Sequence, residues 1–534
     1  MPFQPNASRL AAGAITAAAW LLPGVSAAQQ PRAPAGPPTL VVFLAVDQLR
    51  PDYLTLFDRQ LTGGLGRLLR GGAVFLDGYQ DHAITETAPG HASMLSGRFP
   101  RSTGIVSNSA GVYDPQAPLI GARGDPASPF RFRGSTLADW MRYANQSSRA
   151  LSVSRKDRGA ILPMGRAKQQ VFWYASNGTF TTSMYYADTL PSWVQGFNAK
   201  RLPQQWAGKS WNLLMDPSQY AEPDTVAIES GGRDIVFPHA LPSDGAQAAA
   251  AFSAFPMMDQ LTLSFALEGV RQMRLGADGR TDLLSVSLST TDAVGHRFGP
   301  DSRELHDQVL RLDRYLGVFF DSLYAMRDSA RIVIALTSDH GVTPLPEARS
   351  RDPNQGAGRV NVASAIAPLF ASLRASGVDT SAFQFDEGIL FLDAEALSRA
   401  GLRADAVTRT FVTEVAKVRG VLRVDRLQGL ATRDTTSDYV ARRWLHMLPP
   451  DLPATAVVTL RPYWYWQGVT YATHGSPHDT DARVPIVFYG AGIKAGRNTR
   501  RANVVDIAPT LAALIRVRPM EVLDGRVLRE AIRQ

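Results

Sequence analysis

The segment TLVVFLAVD, residues 39 to 47, is an apolar run of strand length that ends on an acid. A strand with no polar face must be covered on both sides. The pattern returns in RALSVSR (149–155), LLSVSLSTTD (283–292), RIVIALTSD (331–339) and VPIVFYG (484–490). Between these runs lie helical patterns such as SRELHDQVLRLDRYLGVFFDSLYAM (302–326), where Val309, Leu310, Leu312, Leu316, Phe319, Phe320 and Leu323 follow three-to-four spacing. Two-sided strands alternating with amphipathic helices restrict the fold to the α/β class, with a mainly parallel central sheet sandwiched by helices.

Two stretches interrupt that alternation. Residues 166–255 are rich in aromatics, Gly and Pro and read as a loop-rich cap. Residues 356–470 hold two helical patterns, SAIAPLFASLRAS and ADAVTRTFVTEVAKV, among short strands and read as a small α+β insertion. The catalytic core is then expected from 39–165, 256–355 and 471–534. The aromatic run RPYWYWQG (461–468) alternates at strand period, which suits a half-buried strand or an aromatic wall beside a ligand.

The first 28 residues carry one positive charge, Arg9, no acid, and an apolar run ending in small residues at Ala27 and Ala28. This is the composition of a cleaved signal peptide, followed by a Pro-rich linker over 29–38. The expectation is export to the periplasm or beyond, with no stable membrane span. The chain has no cysteine, which excludes disulfides, thiolate metal sites and cysteine nucleophiles. A formal charge of +8 over 534 residues, without a basic run, argues against nucleic acid as an obligate partner and allows weak steering of anions. The chain is read as a monomer.

In a parallel sheet, ligands gather beyond the carboxyl ends of the strands. Asp47 closes the first run, Lys156 and Arg158 follow the second, Asp292 and His296 the third, and Asp339 and His340 the fourth, while THGSPHDTD (473–481) precedes the last. Asp339 and His340 leave a strand together before Gly341 and can approach one metal. Asp292 and His296 are one helical turn apart and suit a second, which His474 can complete. Carboxylate and imidazole ligands without thiolates suit zinc, with manganese and iron also compatible. Two ions about 4 Å apart can hold the attacking and leaving oxygens of an in-line displacement.

The hydroxyls of TETAPGHASMLSG (85–97) are the candidate nucleophiles. Pro89 fits the first helical position, so the helix is expected to start at about 88 or 89. Ser93 and Ser96 then fall inside it, and Thr85 and Thr87 lie just outside, where backbone N–H groups favour a phosphate. Nothing local separates these two threonines.

Taken together, AVDQLRPDYL, TETAPGHASMLSGRFP with SNSAGVYD, SRKDRGAIL, TTDAVGHRFGP, TSDHGV and THGSPHDTDARVPIVFYG resemble the alkaline phosphatase superfamily. The likeness is to its threonine-nucleophile branch, which holds the PafA-like bacterial alkaline phosphatases and the type I phosphodiesterases and nucleotide pyrophosphatases. It implies two Zn2+ ions, one bound by Asp292, His296 and His474 and the other by Asp47, Asp339 and His340, with Thr87 between them as metal-bound nucleophile. It implies Asn108 as holder of a phosphoryl oxygen, and Lys156 and Arg158 as marks of the monoesterase branch. The implied activity is hydrolysis of phosphate monoesters of small molecules through a phospho-threonine. The alternatives are a diesterase or nucleotide pyrophosphatase with the same metals, a sulfatase, disfavoured by the lack of a matching nucleophile motif, and an inactive exported metal-binding protein. His478 stands where relatives more often carry an aromatic, which places two histidines near one metal. His91 is expected to be a structural helix histidine.

Overall fold

The computed structural model describes residues 36–349 and 356–533. The signal peptide expected over 1–28, and most of the linker, lie outside the described residues. A ten-stranded sheet organises the chain. Its main strands are β1 (Leu40–Val46), β2 (Ala73–Tyr79), β3 (Ala150–Ser154), β4 (Gln170–Ala175), β5 (Thr179–Thr181), β6 (Asp282–Leu288), β7 (Ile332–Thr337), β8 (Arg483–Gly490) and β9 (Gly496–Asn498). The spatial order is β9-β2-β8-β7-β1-β6-β3-β4-β5, with Ala502–Asn503 also paired to β2.

The five apolar runs read from the sequence are β1, β3, β6, β7 and β8. Alternate residues of β1 enter different cores. Leu40, Val42, Leu44 and Val46 join one hydrophobic cluster, and Val41, Phe43 and Ala45 join another on the opposite face. Each fully buried aliphatic side chain contributes roughly 1.5–3 kcal/mol, so a strand buried on both faces holds the centre of the sheet. Helix α1 (Thr87–Met94) lies with the second cluster, and α2 (Thr290–Phe298) and α3 (Arg303–Met326) with the first. Ser302 caps α3 by accepting from Leu305 N–H, and the seven apolar residues picked out by spacing are all buried.

Two strand assignments differ from the sequence reading. Ala73–Tyr79 is a strand of the main sheet, second from one edge, although Asp77 and Gly78 break its apolar pattern; it pairs antiparallel with β8. Strands β4 and β5 fall within the stretch read as a cap, yet β4 pairs parallel with β3 and extends the main sheet. Their aromatic residues, Phe172, Trp173 and Phe180, are buried because they face the two cores. Within 356–470 a separate four-stranded antiparallel sheet forms in the order 383–386, 389–392, 454–460, 421–426. Helices Ala363–Ala375 and Ala404–Val415 match the two helical patterns and share a core with this sheet. Of the run 461–468, only Trp464–Trp466 is strand. Among the described residues no helix is long and apolar enough to cross a membrane.

Candidate active site

Strand register places the polar ends. β1 pairs parallel with β6 up to Val46 opposite Leu288, and with β7 up to Ala45 opposite Thr337. β3 pairs with β6 up to Ser154 opposite Ser287. Carrying these registers two residues further brings Asp47, Asp339 and Lys156 to one edge of the sheet. Asp292 and His296 follow β6 on α2. Strand β8 runs antiparallel to β7, so the segment before its amino end delivers His474 to the same edge.

Asp292, His296 and His474 form one cluster whose ligand atoms all lie within 4.8 Å of one another. His296 Nδ1 donates to the Ala472 carbonyl at 2.6 Å, and His474 Nδ1 to the Thr85 carbonyl at 2.8 Å. With Nδ1 engaged as a donor, Nε2 is the nitrogen each ring has left to offer a metal. The two Nε2 atoms are 3.2 Å apart, and Asp292 Oδ1 is 3.1 Å from that of His296. One carboxylate oxygen and two imidazole nitrogens converging in this way fit a divalent metal.

The second cluster is buried throughout. Asp47, His91 and Asp339 also lie within 4.8 Å. His91 Nδ1 donates to the Thr87 carbonyl and its Nε2 meets Ser287 Oγ, both at 2.9 Å, so both ring nitrogens are committed. That occupancy agrees with a structural role. His340 does not belong to this tight group. Its Nδ1 donates to the Gly341 carbonyl and its Nε2, 3.3 Å from Asp339 Oδ2, has no hydrogen-bond partner among the described residues; nor has Asp339 Oδ2. Two buried, unpartnered ligand atoms side by side fit a metal. Burial and the Asp47 charge push the Asp339 carboxyl well above its ordinary value, while burial pushes His340 well below its own.

Thr87 is the first residue of α1 and is buried. The helix therefore starts one to two residues before the expected 88 or 89, because the Glu86 carbonyl already accepts from Gly90 N–H at 3.0 Å. Gly90 permits close packing: a Cβ there would lie 2.5 Å from the Asp339 carbonyl oxygen. Thr85 Oγ1 donates to the Ser476 carbonyl at 2.9 Å; Ser93 donates back into its own helix, and Ser96, which lies just past the helix end at Met94 and not inside it as expected, donates to the Ala92 carbonyl. Thr87 Oγ1 instead accepts from Lys156 Nζ at 3.3 Å. The same ammonium is 2.7 Å from Asp47 Oδ2 and 2.7 Å from Asp292 Oδ2, joining the two clusters. Burial is the largest influence on both acids and opposes their ionisation, but Lys156, joined by His91 at Asp47 and by His296 and His474 at Asp292, outweighs it and holds both below the usual carboxylate value.

Asn108 Oδ1 accepts from Ala88 N–H at 2.9 Å, which leaves its NH2 group as the available donor. Arg158 is not drawn into the clusters; its contact is with Asp157. His478 is likewise apart, with Nδ1 against the Tyr439 hydroxyl and Nε2 against the Leu460 carbonyl. A cavity of about 230 Å³ beside His474 is lined by Tyr463, Trp464, Trp466, Tyr471 and Glu86. Sequence reading passed over Gln48 and Asp259. Asp259 accepts from Thr290 N–H and hydroxyl and from Gln308, anchoring the start of α2; burial pushes it up to about 6. A buried acid within an amphipathic helix was the available signal.

A helix-covered α/β sheet with these clusters at one edge defines an alkaline phosphatase-like architecture. The crystal structure of the alkaline phosphatase PafA superposes with a TM-score of 0.86 at 28% identity, covering 94% of this chain and 100% of that one. The sequence is 33% identical to the alkaline phosphatase PhoK of Sphingomonas sp over 92% of this chain and 91% of the relative. It is 29% identical to PafA of Elizabethkingia meningoseptica over 93% and 94%. A match to the type I phosphodiesterase / nucleotide pyrophosphatase family model spans residues 41–377. The chain belongs to that family.

Proposed function

We propose that this phosphoric monoester hydrolase is a two-zinc alkaline phosphatase in which Thr87 carries the phosphoryl group. The observation behind the reading is the environment of Thr87 Oγ1, buried at a helix start and 3.3 Å from an ammonium that spans both carboxylate clusters. Asp292, His296 and His474 would hold one Zn2+ and Asp47, Asp339 and His340 the other, with Thr87 as a further ligand. When bound, the ions supply Lewis-acid stabilisation of charge on the attacking and leaving oxygens.

The remaining work falls to side chains. Thr87 Oγ1 attacks phosphorus, forming the phospho-threonine as the bond to the leaving oxygen breaks; water then cleaves that ester and releases phosphate. The amino end of α1 favours the incoming anion. A monoester dianion has three non-bridging oxygens, for which Lys156 offers a point charge, Asn108 an amide donor and Arg158 a planar fork. The aromatic cavity beside His474 suits a leaving group.

The second reading, a diesterase or nucleotide pyrophosphatase, shares nucleophile and metals. Against it, the likeness to a human ectonucleotide pyrophosphatase/phosphodiesterase family member covers only 12% of this chain, whereas that to named alkaline phosphatases covers nearly all. The leader composition supports export to the periplasm or beyond, where phosphorylated small molecules are the substrates of a monomeric enzyme. The test is kcat/KM of the zinc-loaded protein for a monoester and a diester with the same leaving group. Monoester preference is expected; diester preference favours the second reading, and zinc content without hydrolysis of either favours an inactive metal-binding protein.

A further inference from the structure

Gln48 follows Asp47 at the end of β1 and is fully buried. Its φ of 65° is left-handed, a conformation costly to a side-chain-bearing residue and retained where surrounding contacts enforce it. Two contacts do so here. Its backbone N–H donates to Asp339 Oδ1 at 3.0 Å, and its side-chain Nε2 donates to Asp292 Oδ1 at 3.2 Å. One residue thus holds a carboxylate from each cluster. On Asp292 it takes the oxygen that faces His296 and His474, leaving Oδ2 to Lys156.

The neighbouring helix accommodates this residue. Gly295 lies inside α2 between Asp292 and His296, where glycine costs about 0.5–1 kcal/mol relative to alanine. A Cβ at 295 would overlap Gln48 Oε1. The glycine therefore makes room for the carboxamide on the helix that carries two of the three ligands.

We propose that Gln48 is a positioning residue that serves both metal sites, its carboxamide orienting Asp292 and its backbone N–H orienting Asp339. The inference rests on the two-metal reading given above. Because only the carboxamide is removable by substitution, the two sites respond unequally. Partners that orient metal ligands are typically worth about 10–100-fold in affinity.

The test is competitive zinc titration of the metal-stripped full chain against a chromophoric chelator. Wild type is expected to bind two equivalents. Gln48→Met, similar in length but without the donor, is expected to weaken one equivalent by about 10–100-fold and spare the other. Unchanged binding of both, or equal weakening of both, overturns the proposal. Fewer than two wild-type equivalents defeats the two-metal reading, and the positioning role at both sites with it. Thermal unfolding supplies a second measurement: Gly295→Ala lowers Tm in wild type and loses most of that effect in a Gln48→Ala background. Equal losses in both backgrounds also overturn it.

Discussion

Lys156 Nζ donates to Asp292 Oδ2 at 2.7 Å, and the same nitrogen lies as close to Asp47 Oδ2. A single ammonium therefore faces one carboxylate from each cluster and the hydroxyl of Thr87. Lys156→Ala is expected to lower kcat/KM for a monoester by roughly 10²–10³-fold, the scale for loss of one positioned oxyanion donor. The diester has fewer charged oxygens to hold, so its kcat/KM falls less. Parallel assays of both substrates check the ratio.

Thr85 and Thr87 differ in what their hydroxyls touch. Thr87→Ala is expected to reduce turnover by ~10⁴-fold or more while zinc content stays near that of wild type. Thr85→Val loses the bond to the Ser476 carbonyl, a cost of about 1 kcal/mol in stability, and keeps turnover. Mass spectrometry of acid-quenched enzyme should locate the phosphoryl group on the peptide containing Thr87. Its appearance on Thr85 would reverse the assignment.

Burial beside Asp47 raises the Asp339 carboxyl well above its ordinary value. The folded, metal-free chain then holds a proton that the unfolded chain releases near pH ~3.9. Where the folded state binds more protons, stability falls as pH rises. The metal-stripped protein should lose Tm from this group with rising pH above that value, and loading with Zn2+ should release a proton and restore Tm. Proton release in weakly buffered solution and paired unfolding curves measure both effects.

Asp81 sits between the helix Tyr439–Met447 and the main sheet, paired with Arg442, Arg443 and Arg501. Burial alone would raise its carboxyl, but hydrogen bonds from His446 and Arg442 and the charges of Arg443 and Arg501 outweigh burial and hold it far below the usual range. A depressed pKa stabilises the fold fully above the unfolded value of ~3.9, and that contribution shrinks as pH falls below it. Asp81→Asn is expected to cost about 3–5 kcal/mol at pH 7, the scale for breaking a buried pair. Denaturant unfolding at pH 7 and below pH 4 should show the gap between variant and wild type narrowing in acid.

The polar ends of the strands are legible in the sequence. A run such as LVVFLAV can only be a covered strand, and an acid directly after it must emerge at the sheet edge. The same reasoning placed Asp292, His296, Asp339 and His340. Strand β2 escaped notice because Asp77 and Gly78 break its pattern, and its place is secured by pairing with β8 instead. The cap boundary misled for a related reason. Aromatic residues around 172–180 read as loop composition, but their burial comes from cores built by distant segments.

By itself, the sequence determined the α/β class, the residues at the strand ends and the chemistry those residues can support, since apolar periodicity and side-chain type are local properties. Tertiary structure decided which candidates act together. It gave Thr85 a carbonyl partner and set Thr87 beside Lys156, and it occupied both nitrogens of His478 while bringing His474 to Asp292 and His296. It also set Lys156 between two carboxylates that are 245 positions apart in the chain (47 and 292). Hydrogen-bond partners and charge pairs of this kind depend on where the chain returns, and no local pattern around residues 85–87 or 474–478 encodes that.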